Sequence, residues 1–465
     1  MKSILILLCL VSTSIFAGIE QAPPNFTVEN KKMVWVDFQK ANYKIIYDTN
    51  IKRASVTSTI TFIQKENGYP IFDSVSNPKL IKINGEETTS LEITPPAQAS
   101  KERIVSKYLE AVTHQLYIIT DIENGVRFST PKKRKSYKRV SSAFFIRDLT
   151  DRMFLERYLP TNYEYDSYKM FMDIEVTGTK RWHSLFANGN VTKINNNHYT
   201  VDFPGYYTSS SVYFHLVPIN KFVRWYLKYK SIDGRRIPVT IYSKYRFYNH
   251  FVKKKAWKVL RELEKDYGPW PHDQLIVYGS GLKGGMEHAG ATETSITALG
   301  HELQHSYFAK GVHPANGNTG WLDEAIASWR DKGHQTSDAP FFESSNIGNH
   351  SLYTRKTDRR SYEYGRSFMA YLDGLLKNAG HIGLKDFLRF YFQKRKFTTV
   401  KTQDFIDDLE EYSQMSFSAE FRKYIFGNQD INTKSHFHKH SHGDKRYIKE
   451  NPYHPIVTQE DLDSI

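Results

Sequence analysis

Hydrophobic and polar residues change their spacing along this chain, and the change divides it into two parts. From residue 18 to about residue 241, short runs rich in β-branched and aromatic residues are separated by Asn, Gly and Pro, as is typical of strands and turns. The runs are YKIIYDT, ASVTSTITFI, LIKING, QLYIIT, YKMFMDIEVTG, HYTVDF, SSVYFHLV and RIPVTIYS. Their spacing predicts an all-β sandwich or saddle domain over residues 18–241.

From about residue 242 the apolar residues recur at helical spacing instead. The segment 251–267 shows this period clearly, and Pro269 and Pro271 end it before the short apolar run LIVYG. Further helices are predicted near 295–309, 321–332, 362–378, 383–394 and 402–413. The pattern therefore predicts an α-rich domain with a little sheet over residues 242–430. Residues 431–465 are polar and rich in histidine, and we expect a poorly packed tail.

The first seventeen residues have the features of a secretory signal peptide. Lys2 precedes the apolar run ILILLCLV at 4–11, which is too short to span a bilayer, and small residues lead to a cleavage site after Ala17. We therefore expect a secreted or periplasmic protein without integral membrane association after cleavage. Cys9 is the one cysteine and lies in this run, so no disulfide framework is predicted.

Composition and charge exclude some classes of function. In 465 residues, 40% are hydrophobic, so the chain can bury a core and is not wholly disordered. Lys and Arg exceed Asp and Glu by 64 to 50, giving a net charge of +14. The basic residues are dispersed, so we do not expect nucleic-acid binding. A solvated basic face, or loose attraction to an acidic cell envelope, is the preferred interpretation.

The sequence HELQH, from His301 to His305, carries the first chemical signal. Two histidines four residues apart lie on one face of a helix, so both imidazoles can reach one metal ion. Zinc accepts such nitrogens, and Glu302 is placed to take a proton from a water molecule that the metal activates. In a chain with 18 histidines this motif also arises by chance.

A glutamate at a suitable distance completes the predicted metal site. Eighteen residues separate His305 from Glu324, and Gly311 and Pro314 in this interval predict a turn that brings the next helix back. Two His and one Glu hold a catalytic zinc and leave one position for water. The alternative for Glu324 is a solvated helical glutamate. Asp323 either orients a histidine ligand or has an ordinary capping or surface role.

Two more motifs give these residues a family resemblance. The segment GGMEH, from Gly284 to His288, is similar to the G-x-M-E-N strand of the gluzincin aminopeptidase N family of zinc metallopeptidases. The segment Tyr362-Glu-Tyr-Gly resembles its Y-E-K-G segment, and HELQH with WLDEA resembles its zinc motif. Weaker similarity at 157–174 and 187–190 extends the resemblance over roughly 30–430. The resemblance implies a β saddle followed by a thermolysin-like α+β catalytic domain.

The resemblance also implies a zinc aminopeptidase that acts on peptides or proteins, with one zinc ion per chain, and the predicted signal peptide makes it a secreted one. Its zinc would be bound by His301, His305 and Glu324. Glu302 would be the general base, Tyr362 would stabilise the oxyanion, and Glu287 would bind the α-amine of the substrate. The residues that would line the substrate strand beside Glu287 are Gly284, Gly285, Met286 and His288.

The chain also departs from the family pattern. His288 replaces the family's Asn, and Asp148 and Asp151 stand in the segment where the family often has a glutamine. We also expect a minimal form without the family's C-terminal helical domain, and hence a more open cleft. Two alternatives therefore stay open: an endopeptidase or a peptidase for branched or cell-wall peptides, and a non-catalytic binding module stabilised by zinc. The sequence predicts neither which substrate residue is preferred at the cleaved position nor the oligomeric state of the protein.

Overall fold

The computed structural model describes residues 19–96, 102–129, 137–146, 154–281 and 284–429. The predicted signal peptide 1–17, the predicted tail 431–465, and Asp148 and Asp151 lie outside the described residues. Within these ranges, no helix combines the length and the apolar character needed to cross a membrane.

The first half of the chain is built from β-strands, as the spacing of its apolar runs predicts. The strands in the described residues are β1 (Phe26–Val28), β2 (Lys31–Val34), β3 (Asp37–Asp48), β4 (Arg53–Ile63), β5 (Tyr69–Phe72), β6 (Leu80–Ile83), β7 (Glu86–Thr88), β8 (Ser90–Ile93), β9 (Glu102–Val105), β10 (Thr113–Asp121), β11 (Val126–Ser129), β12 (Arg139–Ala143), β13 (Lys169–Thr177), β14 (His183–Ala187), β15 (Asn190–Asn195), β16 (His198–Asp202) and β17 (Phe214–Pro218).

These strands form three sheets, and the residues they bury lie mainly in one large hydrophobic cluster and a smaller one beside the β1-β2-β5-β9-β8 sheet. The largest sheet has the order β15-β16-β13-β3-β4-β10-β6-β7, and its neighbours are antiparallel except for the β13–β3 pair. Along β4 every second residue from Ala54 to Phe62 is buried, so one face of the sheet packs inward. The other sheets have the orders β1-β2-β5-β9-β8 and β11-β12-β17-β14. The prediction of a β saddle or sandwich is confirmed.

The second half combines a mixed sheet with helices. Its elements are β18 (Val223–Lys230), β19 (Arg236–Ser243), α1 (Arg246–Tyr267), β20 (Leu275–Gly279), β21 (Gly285–His288), β22 (Ala291–Thr294), α2 (Leu299–Gln304), β23 (His313–Pro314), α3 (Trp321–Asp331), α4 (Glu363–Asn378), α5 (Leu384–Arg395), β24 (Thr399–Val400), α6 (Thr402–Ser413) and α7 (Ser418–Tyr424). The sheet order is β18-β19-β20-β22-β21. The α+β architecture predicted for this half is confirmed.

Burial explains the arrangement of the helices. On α1, residues Val252, Ala256, Val259 and Leu263 recur at intervals of three and four and are buried in the core of this half. All six residues of α2 are buried, including the polar and charged side chains of His301, Glu302 and Gln304. A helix buried on every side brings its polar groups into the interior, where they need compensating charges or hydrogen bonds.

The sheet of the second half begins earlier in the chain than residue 242, where the spacing of the apolar residues changes. Strands β18 and β19 lie before residue 242, yet β19 pairs in parallel with β20 and belongs to the second sheet. The sheet that leads to the HELQH helix therefore begins at Val223. Alternation identifies a strand but does not identify its partner, because pairing depends on contacts distant in sequence.

Asn188, in the Ala-Asn-Gly-Asn turn after β14, fastens the first half to the second. Its amide nitrogen Nδ2 donates to the carbonyl oxygens of Ser211 (2.7 Å) and Ala289 (2.8 Å). Its Oδ1 accepts a hydrogen bond from the backbone nitrogen of Tyr213 at 2.7 Å. Because Ala289 directly follows β21, these bonds fix the β21–β22 hairpin against the first half of the chain.

Candidate metal centre

Two helices bring His301, His305 and Glu324 together. The histidines lie at the buried α2 helix and its C-terminus, and Glu324 lies in the first turn of α3. One ligand atom from each residue lies within 4.8 Å of the others, and all three side chains are buried. Oε2 of Glu324 is 3.3 Å from Nε2 of His301 and 3.8 Å from Nε2 of His305. Among the described residues, no other group of three or more His, Cys, Asp or Glu side chains has its ligand atoms this close together.

The donor set suits a zinc ion. Imidazole nitrogens and a carboxylate oxygen bind zinc at about 2.0–2.2 Å, and two ligand atoms of a tetrahedral ion are then roughly 3.3 Å apart. The observed separations of 3.3 and 3.8 Å from the Glu324 oxygen are close to that value. A buried carboxylate beside two imidazoles is also an environment that favours a cation. These residues therefore fit zinc in both chemistry and spacing.

Asp331 fixes the orientation of His301. Its Oδ2 lies 2.8 Å from Nδ1 of His301, on the side of the ring opposite Nε2. Burial lowers the pKa of His301, but hydrogen bonds to Asp331 and Glu324 more than compensate and raise the pKa well above its usual value. Burial raises the pKa of Asp331, but the bond to His301 outweighs it, so the net shift is downward. The carboxylate thus stays ionised and directs Nε2 toward the metal position.

Asp331 was not among the residues predicted from the sequence, for which Asp323 was one candidate for this orienting role. In the structure, Oδ1 of Asp323 accepts a hydrogen bond from the backbone nitrogen of Glu324 at 2.8 Å. Asp331 lies seven residues after Glu324 on α3, which is about two helical turns. That spacing puts both carboxylates on one face of the helix, and it was the signal that could have identified Asp331.

The strand β21 passes directly beside Glu302. A Cβ atom placed on Gly285 would lie 2.5 Å from Cγ and 2.7 Å from Oε1 of Glu302, so only glycine leaves room for the carboxylate. Glu302 is buried on α2, next to the metal ligands. The predicted substrate strand and the predicted general base are therefore in contact distance of each other.

Glu287 lies on the same strand and carries a buried carboxylate. Two residues along a strand return to the same face, so Glu287 points to the side on which Gly285 borders Glu302. Within the described residues, neither of its carboxylate oxygens accepts a hydrogen bond. Its Oε1 lies 3.5 Å from Nζ of Lys310, and both side chains are almost fully buried. Lys310 was not predictable from the sequence, because a lone lysine after the HELQH motif resembles a surface residue.

The other residues of the GGMEH segment have different environments. Gly284 has φ of +90°, a conformation that favours glycine, and its carbonyl oxygen accepts from the backbone nitrogen of Ser295 at 2.8 Å. Met286 is half-buried on β21. His288 is on the opposite face from Glu287, and its Nδ1 is 2.8 Å from the carbonyl oxygen of Val212. This placement favours a packing role for His288 over contact with the substrate amine.

Tyr362 reaches the metal ligands from the start of α4. It is half-buried, and its hydroxyl donates to Oε1 of Glu324 at 2.6 Å. Its ring lies nearly parallel to that of His301, with 6.1 Å between the ring centres. The predicted catalytic tyrosine is therefore at the metal centre, hydrogen-bonded to a predicted zinc ligand.

No protein-family model and no curated protein matches this sequence. Among solved structures, the chain is similar to native leukotriene A4 hydrolase from Saccharomyces cerevisiae, with a TM-score of 0.59 and 14% identity over 85% of this chain and 69% of that one. It is also similar to a mutant of the M1 zinc metallopeptidase of Deinococcus radiodurans, with a TM-score of 0.55 and 15% identity over 85% of this chain and 95% of that one.

A third similar structure is Legionella pneumophila aminopeptidase A in complex with aspartic acid, with a TM-score of 0.58 and 14% identity. The match covers 84% of this chain and 50% of that protein. These likenesses show that the chain has the fold of the M1 zinc metallopeptidases. The fold class expected from the resemblance to the gluzincin aminopeptidase N family is confirmed.

Proposed function

We propose that this protein is a zinc-dependent aminopeptidase, which removes single residues from the N-termini of peptides. One observation carries the proposal: the buried set of His301, His305 and Glu324 lies beside strand β21. That strand holds Gly285 against Glu302 and carries the buried carboxylate of Glu287. The two histidines and Glu324 suit a metal ion, and Glu287 suits a substrate ammonium. The M1 zinc metallopeptidase fold supports the same conclusion.

One zinc ion per chain would be held by Nε2 of both histidines and by the Glu324 carboxylate. When bound, zinc supplies a Lewis acid for the peptide carbonyl and lowers the pKa of water. Asp331 keeps the proton of His301 on Nδ1, so that Nε2 stays available as a ligand. The chain's own residues then have to move one proton, stabilise one developing charge and position one amine.

Glu302 is the residue placed to move the proton. Its carboxylate takes a proton from the attacking water and gives it to the leaving amine nitrogen, which allows the C–N bond to break. Because the side chain is buried and Gly285 presses against it, the carboxylate has little freedom to turn away. A fixed base next to the reacting carbonyl is what general base catalysis requires.

Tyr362 is placed to stabilise the developing negative charge. In the structure its hydroxyl donates to Glu324, and a rotation of the half-buried phenol would exchange this acceptor for the carbonyl oxygen of a substrate. The exchange is favourable only when that oxygen becomes negative, because a charged acceptor gives the stronger bond. We therefore assign Tyr362 to the transition state rather than to substrate binding.

Glu287 is the residue that sets the position of cleavage. Its carboxylate is buried, and in the described residues it accepts no hydrogen bond, so a substrate ammonium could supply the missing donors. Binding of the ammonium at Glu287 would place the first peptide bond of the substrate beside Glu302. An enzyme that cuts inside a chain has no use for such an anchor.

One observation favours a second candidate, an endopeptidase. Lys310 lies 3.5 Å from Glu287 and partly neutralises the carboxylate, so an uncharged stretch of peptide could also occupy this position. We prefer the aminopeptidase because, in the described residues, Glu287 accepts no hydrogen bond even from Lys310, and a substrate ammonium would supply the donors that a buried carboxylate needs.

The test compares free-amine peptides with their N-acetylated twins. The peptides carry a randomised first residue, the protein is loaded with zinc, and products are identified by mass spectrometry. We expect release of single N-terminal residues from the free-amine set only, and no release by a zinc-loaded Glu302→Gln variant. Internal cleavage of acetylated peptides at an equal rate would support the endopeptidase. Stoichiometric zinc without any turnover would indicate the binding module.

We also propose that the protein is exported. Residues 1–17 support this with their basic start, apolar run and small residues before the cleavage site. The absence of cysteine after residue 17 is compatible with an oxidising compartment. N-terminal sequencing of the protein recovered from the cell exterior or periplasm would test it, and a chain that still begins at Met1 would contradict it.

A further inference from the structure

Lys310 and Glu287 form a buried ion pair at the position proposed to receive the substrate amine. Their charged atoms are 3.5 Å apart, and their side chains are 2% and 1% exposed. Lys310 follows the HELQH helix by one turn, with its backbone nitrogen bonded to the carbonyl oxygen of His305 at 2.9 Å. The pair is therefore held by the same chain segment that carries a predicted zinc ligand.

The neighbours of Lys310 include a carboxylate, an aromatic ring and the imidazole of His313, whose pKa burial and then Lys310 lower to about 3, so that it is uncharged. Among the described residues, Glu287 is the carboxylate within ion-pair distance of Lys310, and the ammonium otherwise lies 5.9 Å from the centre of the Phe154 ring. The face of an aromatic ring attracts a cation but carries no net charge. Glu287 and Lys310 are thus a balanced pair in an interior where a net charge is costly.

An arriving substrate disturbs this balance. A substrate ammonium that reaches Glu287 also comes close to Lys310, because the lysine nitrogen is 3.5 Å from the same carboxylate. Two cations then share one anion in a buried site, and like charges repel strongly there. A substrate that brings its own carboxylate next to its ammonium restores neutrality. Among the ordinary amino acids, aspartate and glutamate do this with their side chains.

We propose that Lys310 determines the specificity of the site, and that the preferred substrates are peptides whose first residue is aspartate or glutamate. This inference rests on the proposed aminopeptidase function. The ammonium of the substrate binds Glu287, and its side-chain carboxylate binds Lys310, so that one ion pair is exchanged for two. In these residues only two or three carbon atoms join the ammonium to the carboxylate group, which matches the closeness of the two partners in the protein.

Substrates with another first residue, or with a blocked amine, are disfavoured by charge or by the loss of their anchor. A neutral first residue leaves an excess positive charge beside Lys310, and a lysine or arginine adds a further cation. A peptide with a blocked amine leaves the Glu287–Lys310 pair intact and has no anchor. We therefore expect the order acidic, then neutral, then basic.

The test uses substrates that share one fluorogenic leaving group and differ only in the amino acid. Glutamyl and glutaminyl substrates form the matched pair, because they have nearly the same size and differ in charge. A lysyl and an N-acetylglutamyl substrate complete the set. The zinc-loaded full chain should give kcat/KM at least tenfold higher for the glutamyl than for the glutaminyl substrate, and lowest for the lysyl and acetylated ones.

Variants of Lys310 show whether this residue is responsible. Lys310→Arg keeps the charge and should keep the preference. Lys310→Met should remove the preference and hydrolyse the glutaminyl substrate faster than the unchanged protein, a gain that misfolding cannot produce. If Lys310→Met does not fold because Glu287 is left unpaired, Lys310→Gln offers Glu287 an uncharged amide donor, keeps the amine anchor, and should likewise show no preference for the glutamyl substrate.

Each result has one meaning. Equal hydrolysis of glutamyl and glutaminyl substrates by the unchanged protein, or a preference that survives in Lys310→Met or Lys310→Gln, would overturn the role of Lys310 and leave the aminopeptidase function standing. Failure to release any free-amine residue, with the acetylated peptide cut internally, would instead overturn the proposed function itself.

Discussion

Tyr362 donates its phenolic hydrogen to Glu324, with 2.6 Å between Oη and Oε1. The residue predicted to act on the substrate is thus bonded to a residue predicted to act on the metal. The bond restrains the Glu324 carboxylate, whose other oxygen, Oε2, faces the two histidines. A substrate carbonyl would have to compete with Glu324 for the same hydroxyl. This competition makes the contribution of Tyr362 measurable as a difference between binding and turnover.

Replacement of Tyr362 by phenylalanine should lower kcat by about 10²–10³-fold, the usual effect of losing one donor to an oxyanion. KM should change much less, because the bond to the carbonyl oxygen forms mainly in the transition state. Zinc should stay bound, since Tyr362 contacts the ligand and not the metal position. Steady-state kinetics and metal analysis of the purified variant measure both quantities.

Tyr364 offers a matched control two residues away. Its ring stacks on Phe342 with 4.3 Å between ring centres, and it is half-buried like Tyr362. Tyr364→Phe keeps the ring and should leave kcat nearly unchanged. A Tyr362→Phe variant with normal kcat and a raised KM would assign Tyr362 to substrate binding instead.

Asp331 should control the affinity for zinc. Loss of a carboxylate that orients a metal-binding histidine typically weakens metal binding 10–100-fold. Asp331→Ala should show that effect, whereas Asp331→Asn retains an acceptor oxygen and should show a smaller one. Competition with a chelator of known affinity gives the dissociation constants. Unchanged zinc affinity in Asp331→Ala would mean that the 2.8 Å contact with His301 has no part in holding the metal.

Gly285→Ala should damage catalysis without removing the metal. The added methyl group would lie 2.5–2.7 Å from Cγ, Cδ and Oε1 of Glu302, closer than atoms can approach, so either the base or the strand must move. A displacement of about 1 Å in a catalytic group can cost on the order of 10²-fold in rate. We expect kcat to fall by that factor with stoichiometric zinc retained. Full activity in the variant would show that the position of Glu302 tolerates this shift.

The fold was predictable where one local pattern decides it. Runs of β-branched residues between turn residues identify strands such as β4, and apolar residues three and four apart identify helices such as α1. Strand partners were not predictable in this way. Strands β18 and β19 have the same local pattern as the strands before them, and only their pairing with β20 assigns them to the second sheet.

The candidate site followed the same rule. His301, His305 and Glu324 were predictable because a fixed spacing on two helices brings them to one metal position. Lys310 was not, since its burial depends on Glu287, which lies on a different element and at an unrelated spacing. The sequence does not show whether a single charged residue is paired with an opposite charge in the interior of the folded protein.

A second group of buried charges, which sequence analysis also missed, joins the two halves of the chain. The guanidinium of Arg355 lies 2.8 Å from Asp73, 3.4 Å from Glu102 and 2.6 Å from Glu156, and all these side chains are largely buried. One cation faces three carboxyl groups, so they cannot all be ionised at low cost. Burial raises the pKa of Asp73 and of Glu102, although Arg355 opposes the shift in both.

Glu156 should make the stability of the protein depend on pH. Burial raises its pKa from 4.5 to about 7, against the opposing effect of Arg355. Between these two values the folded protein keeps a proton that the unfolded chain has released. The stabilising contribution is therefore complete below pH 4.5 and is lost as the pH rises through about 7. A shift of this size corresponds to a loss on the order of 3 kcal/mol.

The matching experiment is urea unfolding at pH 5 and at pH 8, followed by the midpoint concentration. The unchanged protein should unfold at a lower urea concentration at pH 8. Glu156→Gln keeps a neutral side chain of the same size at both pH values, so its midpoint should depend less on pH and should be higher than that of the unchanged protein at pH 8. Glu123→Gln, at an exposed position, is the control and should reproduce the pH dependence of the unchanged protein. If Glu156→Gln unfolds with the same pH dependence as the control, Glu156 is ionised in the folded protein at both pH values. Arg355 would then outweigh burial, and the contact of Glu156 with Arg355 would contribute equally to stability at the two pH values.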